Sequence, residues 1–359
     1  MHFGLSEEQA LLQETLRGFI EAECPPTRLR EIFDEGAAHD SALWKGLAEI
    51  GLPGLCVPES EGGAGLGALE LALCCEELGA GALPGPLLFH GLATLALREG
   101  GAAAQRERWL PALASGERVA SIALEGGGGS IDDAAGRPAL DAAALTGVAR
   151  HVPFAEVADL FVVALMDGGL AVVERDAQGL VVEAESGIDR TRPLGTLHFD
   201  ATPAERLETG AEAFDVVRDA ALCALAADAF GAAWALVRMT VEYAKTRQQF
   251  GRPIAEFQSV KHQLADMATA IELSRGLYWY AAYACDHIKA EASQQAALAK
   301  AHIGDQAVEI ARQAVELHGG LGFTWECDVQ IWFKRALFDR AFLGTPDEHR
   351  DRAAALGGY

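Results

Sequence analysis

The sequence predicts an α+β multidomain protein: an all-α N-terminal domain, a small central antiparallel β-barrel or sandwich, and a C-terminal four-helix bundle. Three observations carry this. Apolar residues recur at helical spacing up to about residue 117, the period changes to two between Arg118 and Thr202, and helical spacing returns from Phe214 onward. The expected domains are 1–117, 118–205 and 206–359.

Ser6 followed by Gln9 has the pattern of a capping box, and Leu11, Leu12, Leu16, Phe19 and Ile20 then repeat at helical spacing. A second helix is expected from Ser41 to about Ile50, stopped by Gly51 and Pro53. The glycine-rich loop VPESEGGAGLG follows, then helices through Leu69–Leu78, near Leu87–Leu97 and near Ala103–Leu113. In the central region Leu160–Met166, Leu170–Glu174, Leu180–Glu183 and Thr196–Phe199 are short β-rich runs, separated by turns such as Asp167-Gly168-Gly169. Strands this close together, with no helix between them, predict a small antiparallel barrel or sandwich. Ala201, Thr202 and Pro203 open the linker to the last domain. There Val260, Leu264, Met267, Ile271, Ser274 and Tyr278 follow a 4-3-4-3-4 spacing, the seam of a packed helix. Long helices are expected near 212–246, 256–288, 291–317 and 328–342.

With 359 residues, half of them apolar, the chain can bury a large interior in two or three packed units. A net charge of −23 leaves no basic footprint for nucleic acid or an anionic membrane, although a phosphorylated ligand needs only a local positive pocket. Seven scattered cysteines, two of them the neighbours Cys74 and Cys75 in a helical pattern, fit reduced core thiols in a cytoplasmic protein better than a disulfide framework. The N-terminus MHFGLSEEQ is acidic and lacks the regions of a signal peptide. The most apolar run, Ala220–Val237, carries Asp228 and is rich in alanine, as a buried helix would be. His262 and His318 have no ligating neighbours at suitable spacing, so no metal site is expected.

Two stretches carry chemistry. Tyr243–Gly251, YAKTRQQFG, closes one helical run and leads through Arg252 and Pro253 into the next; its arginine, amides and glycine suit a polyanion, because guanidinium binds phosphate bidentately. The second is Glu316–Glu326, ELHGGLGFTWE, for whose Gly319 and Gly320 a helix C-cap is the alternative reading.

Together these stretches, with WKGLAEIGLPGLCVPESEGGAGLGALELALCCEELG near the N-terminus, resemble the acyl-CoA dehydrogenase family over essentially the whole chain. Such enzymes desaturate an acyl-CoA thioester and pass a hydride to bound FAD. They need a carboxylate for the α proton, donors for the thioester carbonyl and a flavin beside the β carbon. In the family two subunits hold one FAD, which implies an oligomer. By resemblance Arg247, Gln249, Phe250 and Gln258, with Glu316, Gly319 and Gly320, serve the pyrophosphate and adenine end. Glu316 stands where the family usually has glutamine. Ser130 and Asp219 match positions that contact the acyl-CoA substrate.

The rest departs from the family. The flavin-ring loop, TEPGAGSD-like elsewhere, is LEGGGGSI here, with Leu124, Gly126 and Ile131 replacing threonine, proline and aspartate. Gly126–Gly129 has no helix signal directly after it and is a weak match to a phosphate loop. The W-I-T-like strand becomes ARHVPFA, with His151, Val152 and Pro153. Leu124 has no hydroxyl, and Pro153 has neither hydroxyl nor N–H. The two usual base positions are Leu343, in FLGT, and Ala221, followed by Leu222. Neither accepts a proton, and loss of a positioned base costs about 10²–10⁴ in rate. Asp347, Glu348 and Asp219 are the substitute carboxylates nearest in sequence.

Three readings remain. The chain is a base-lacking subunit whose paralogous partner carries the glutamate and the flavin-ring contacts, as resembles bacterial steroid side-chain dehydrogenases with two kinds of chain. Or it is a homomeric enzyme with a relocated base. Or it is a non-catalytic member that binds a CoA ester or acts as a scaffold. The first accounts for the pattern: residues for a subunit's own site have gone, and those for a neighbour's site have stayed.

Overall fold

Six helices come first in the computed structural model of the chain, which describes residues 4–36 and 39–359. The first three residues of the acidic N-terminal segment lie outside these. Helix α1 (Glu7–Glu23) starts at the expected capping box: Ser6 Oγ accepts from Gln9 N at 3.1 Å, and Gln9 Oε1 from Ser6 N at 2.9 Å. Helix α2 (Pro26–Glu35) was not anticipated, although Pro26 in its first turn and Gly36 at its left-handed C-cap are the usual signals. Helices α3 (Ser41–Glu49), α4 (Ala68–Ala80), α5 (Leu87–Gly100) and α6 (Ala103–Ala114) fall where apolar spacing places them.

The central region has eight strands: β1 (Ala120–Ala123), β2 (Ala139–Asp141), β3 (Ala144–Pro153), β4 (Leu160–Ala164), β5 (Leu170–Glu174), β6 (Leu180–Glu185), β7 (Leu194–Pro203) and β8 (Glu205–Arg206). They form two four-stranded sheets, β1-β4-β5-β8 and β2-β3-β7-β6. The arrangement is a sandwich; neither sheet closes into a barrel. Nor is it wholly antiparallel, because β1 pairs parallel with β4.

The first sheet is buried on both faces. Leu160, Val162, Leu170 and Val172 face the helical core, while Phe161, Val163, Ala171 and Val173 meet Leu145, Val152, Leu197 and Phe199 of the second sheet. That is why β4 and β5 read as unbroken apolar runs. In β3 the register slips between Ala149 and Val152, and His151 there has φ +52°. Such a bulge re-aims a side chain.

The 37-residue α7 (Gly210–Thr246) packs against α4 and α5 on one side. On the other it meets α9 (Arg275–His287), α10 (Lys289–Leu317) and α11 (Val329–Ala341). A strand pair, β9 (Gln248–Gln249) and β10 (Arg252–Pro253), links α7 to α8 (Gln258–Glu272), and α12 (Pro346–Leu356) ends the chain. The helix expected over 256–288 is two helices, bent at Leu273-Ser274, where Ser274 Oγ donates to Ala270 O at 3.2 Å. Met267, Ile271, Ser274 and Tyr278 of the seam are buried; Val260 and Leu264 are half-buried. Helix α12 was also unforeseen, although Thr345 and Glu348 form a capping box and Pro346 opens it.

Two glycines set the α4–α7 approach. A Cβ on Gly79 would meet Asp228 O at 2.0 Å, and one on Gly231 would meet Glu76 O at 1.9 Å. The most apolar stretch of α7 is 94% buried, so it is a core helix.

Asp228 lies within that stretch and is fully paired. Arg335 Nε and Nη2 donate to its two oxygens at 2.7 Å each, and Arg192 Nη2 lies 2.5 Å away. Arg192 also pairs with Asp339, while Arg335 Nη1 donates to Thr191 Oγ1 at 3.0 Å and Leu83 O at 3.2 Å. Burial opposes ionisation of Asp228, but the two guanidiniums hold its carboxyl below the usual range; burial pushes the Asp339 carboxyl well up. The network joins the helical and sheet regions at one buried point.

Candidate functional site

The two chemistry-bearing stretches meet at one end of the bundle. Tyr243 stacks on His318 with ring centroids 4.3 Å apart, and its hydroxyl donates to His318 O at 3.3 Å. Arg247 follows one turn later, its N–H donating to Tyr243 O at 2.8 Å. Its guanidinium is exposed and has no partner among the described residues. Beyond it Phe250 (φ +52°) and Gly251 (φ +79°) form the two-residue turn of β9–β10, which leaves Phe250 93% exposed and edge-on to Phe257.

Gln258 opens α8 with its side chain exposed, and Gln249 Nε2 donates only to the neighbouring Gln248 O at 2.8 Å. Glu316 is exposed and unpaired among the described residues, in the last turn of α10. Gly319 has φ +63° just past that helix, which is a C-cap role. Gly320 has no such need, and a Cβ there would meet nothing within 4 Å. Nothing in the chain itself requires glycine at 320; an approaching ligand would. A guanidinium without a partner among the described residues, the exposed amides of Gln249 and Gln258 and an open glycine fit the pyrophosphate–adenine end of FAD.

The flavin-ring positions do not fit. Leu124 is buried, Val152 and Pro153 are buried, and Ile131 packs in the core. Gly126 is tied back by its N–H to Ser130 O at 2.9 Å, and a Cβ there would meet Asp133 O at 1.4 Å. The Gly126–Gly129 loop is folded on itself and is no phosphate cradle.

Leu343 is 1% exposed and Ala221 fully buried. Beside Leu343 lies a cavity of 310 Å³ lined by Glu125, His151, Asp189, Phe338, Phe342 and Thr345, among others. Glu125 Oε1 accepts from Leu343 N at 3.0 Å, and its other oxygen lies 2.7 Å from His151 Nδ1. That contact raises the His151 pKa above its ordinary value. Glu125 escaped the sequence reading, although LEGGGGSI keeps the glutamate of the family's loop.

The substitute carboxylates are occupied. Asp347 is 91% exposed and paired with Arg350 at 2.6 Å. Glu348 caps α12, its carboxyl held low by the Thr345 N–H and hydroxyl, with Ser130 beside it. Burial raises the Asp219 carboxyl, which Arg218 Nε and Ser293 Oγ hold at 3.0 and 2.5 Å. No group of three or more His, Cys, Asp or Glu residues is placed to hold a metal ion among the described residues. None of the seven cysteines forms a disulfide, although Cys223 Sγ lies 3.8 Å from Cys285 Sγ, and all but the half-buried Cys285 are buried.

Family models for the acyl-CoA dehydrogenase N-terminal and C-terminal domains match residues 6–117 and 220–356. The acyl-CoA dehydrogenase IpdE2 of Mycolicibacterium smegmatis is 31% identical, over 98% of this chain and 99% of its own. Among solved structures, the Tcur3481-Tcur3483 steroid ACAD superposes with a TM-score of 0.91 at 34% identity, covering 98% of both chains. The ChsE4-ChsE5 complex of Mycobacterium tuberculosis gives 0.90 at 26% identity, covering 100% of this chain and 99% of the other.

Proposed function

The chain belongs to the acyl-CoA dehydrogenase family of FAD-dependent oxidoreductases, and from that premise we propose that it is the FAD-completing, base-lacking subunit of a heteromeric acyl-CoA dehydrogenase. One contrast carries the reading: Arg247 stands exposed and unpaired on the outer face, while hydrocarbon fills the interior base position at Leu343. An exposed cation on the same end of the bundle as an open glycine is arranged for a ligand supplied from outside; a buried leucine cannot take a proton. Bound FAD accepts the hydride that leaves the β carbon. This chain's part is to hold the cofactor's pyrophosphate through Arg247, with Gln249, Phe250 and Gln258 flanking it, and its adenine end at Glu316, Gly319 and Gly320. The paralogous partner brings the glutamate and the flavin-ring contacts. That two similar structures are named as pairs of chains supports this. The reading includes a cytoplasmic location, supported by the unpaired buried thiols.

The test is to purify the chain alone and after co-expression with a paralogous dehydrogenase chain, and record the flavin spectrum. Flavin only in the co-expressed complex, lost in Arg247→Ala, supports the reading. Full FAD occupancy and turnover by the chain alone sinks it.

One observation favours a second reading, a homomeric enzyme with a relocated base: Glu125 reaches within 3.0 Å of Leu343 N. It requires acyl-CoA oxidation by the lone chain that disappears in Glu125→Gln.

A further inference from the structure

Glu316 has no partner of its own among the described residues. It lies in the last turn of α10, where the helix dipole disfavours a negative charge. No cation or donor among the described residues compensates it; the nearby Arg312 is paired with Glu309 at 3.6 Å. It borders an open groove with Gln313, Phe323, Phe333 and the Arg312–Glu309 pair, whose charges offset each other, and Phe323 is 81% exposed. Along the chain Glu316 stands two residues before His318, which Tyr243 stacks against, and His318 is followed directly by Gly319 and Gly320.

We infer that Glu316 is a specificity-determining residue: its carboxylate accepts from the free ribose hydroxyls of an adenosine and rejects an adenosine whose ribose is phosphorylated. This rests on the reading that this face holds FAD. A carboxylate only accepts hydrogen bonds, so it suits vicinal hydroxyls, which donate, and repels phosphate. The anionic pyrophosphate therefore belongs to Arg247, and the neutral, donor-bearing ribose to Glu316. The negative end of α10 reinforces the same division. The discrimination has a use. FAD and CoA esters share adenine and a 5′-pyrophosphate, and in that portion they differ by the 3′-phosphate of CoA. A glutamine would accept or donate toward either; the glutamate admits one.

The experiment uses the co-expressed complex, freed of FAD by dialysis against potassium bromide, and calorimetric titration with ADP and with 3′-phosphoadenosine 5′-diphosphate. ADP should bind at least about tenfold more tightly, as a like-charge contact demands, and the ratio should shrink with salt. Glu316→Gln should bring the two affinities within roughly threefold while the protein still takes up FAD. Arg247→Ala should weaken both and keep the ratio. An unchanged ratio in Glu316→Gln, with FAD still bound, overturns the role of Glu316 alone. A complex that never carries FAD and binds neither nucleotide overturns the FAD reading, and this inference with it.

Discussion

Tyr243 and His318 lie 75 residues apart in sequence and stack face to face at 4.3 Å, the Tyr243 hydroxyl donating to the His318 carbonyl. The contact pins the end of α7, one turn before Arg247, to the end of α10, one residue before Gly319. Tyr243→Ala should therefore lower the flavin-to-protein ratio of the co-expressed complex several-fold while costing about 1–3 kcal/mol of stability for the stack and the hydroxyl bond together. Tyr243→Phe keeps the stack and should keep most of the flavin. Absorbance ratios and urea unfolding read both.

Gly320 separates ligand approach from folding. Since a Cβ there meets nothing within 4 Å, Gly320→Ala should change stability by less than about 0.5 kcal/mol. Flavin content of the complex should nevertheless fall. Unchanged flavin would place the ligand elsewhere.

Restoring a carboxylate at the usual base position should not create an enzyme. Leu343→Glu buries an acid beside Glu125, which raises its pKa and destabilises the fold, and Leu124 and Pro153 still lack the flavin-ring contacts. Acyl-CoA oxidation by the lone variant should stay at background in a dye-reduction assay.

Asp228 neutralises two buried arginines at the junction of the helical and sheet regions. Asp228→Ala leaves the buried Arg335 without a carboxylate and Arg192 with Asp339 alone, and should cost about 3–5 kcal/mol, enough to lose much soluble protein. Guanidinium unfolding, or soluble yield where unfolding is already advanced, measures this.

Stability should depend on pH in opposite senses at different histidines. The His151 pKa is raised by Glu125, so its contribution is complete below the unfolded value of 6.5 and is lost as pH rises through the folded value. Wild type and His151→Gln should differ most in acid and converge in alkali. Burial holds His90 down at about 4 and His349 at about 3. Each stays neutral in the fold, so stability above pH 6.5 is lost as pH falls toward those values, by up to about 1.4 kcal/mol per unit per group. Urea midpoints across pH 4–9 test both senses.

Local signals located most of the fold. The Ser6–Gln9 box starts α1 where the side-chain pattern places it, and Leu170–Glu174 is the strand expected, because capping and periodicity act over a few residues. The parallel β1–β4 pair, the Ser274 bend and the two faces of the first sheet are relations between distant segments, and no local pattern encodes them.

By itself the sequence determined which chemistry this chain lacks and which it keeps: a leucine cannot take a proton, a proline has no N–H to donate, and Arg247 remains a cation in any fold. Only the tertiary structure decided what those residues face. It turned Asp347 and Glu348 from candidate bases into a solvated ion pair and a helix cap. It set Glu125 against the Leu343 N–H and left Arg247 and Glu316 without partners among the described residues. Residue type fixes what a group can do, but pairing and burial fix what remains free to act, and those depend on segments that only folding brings together.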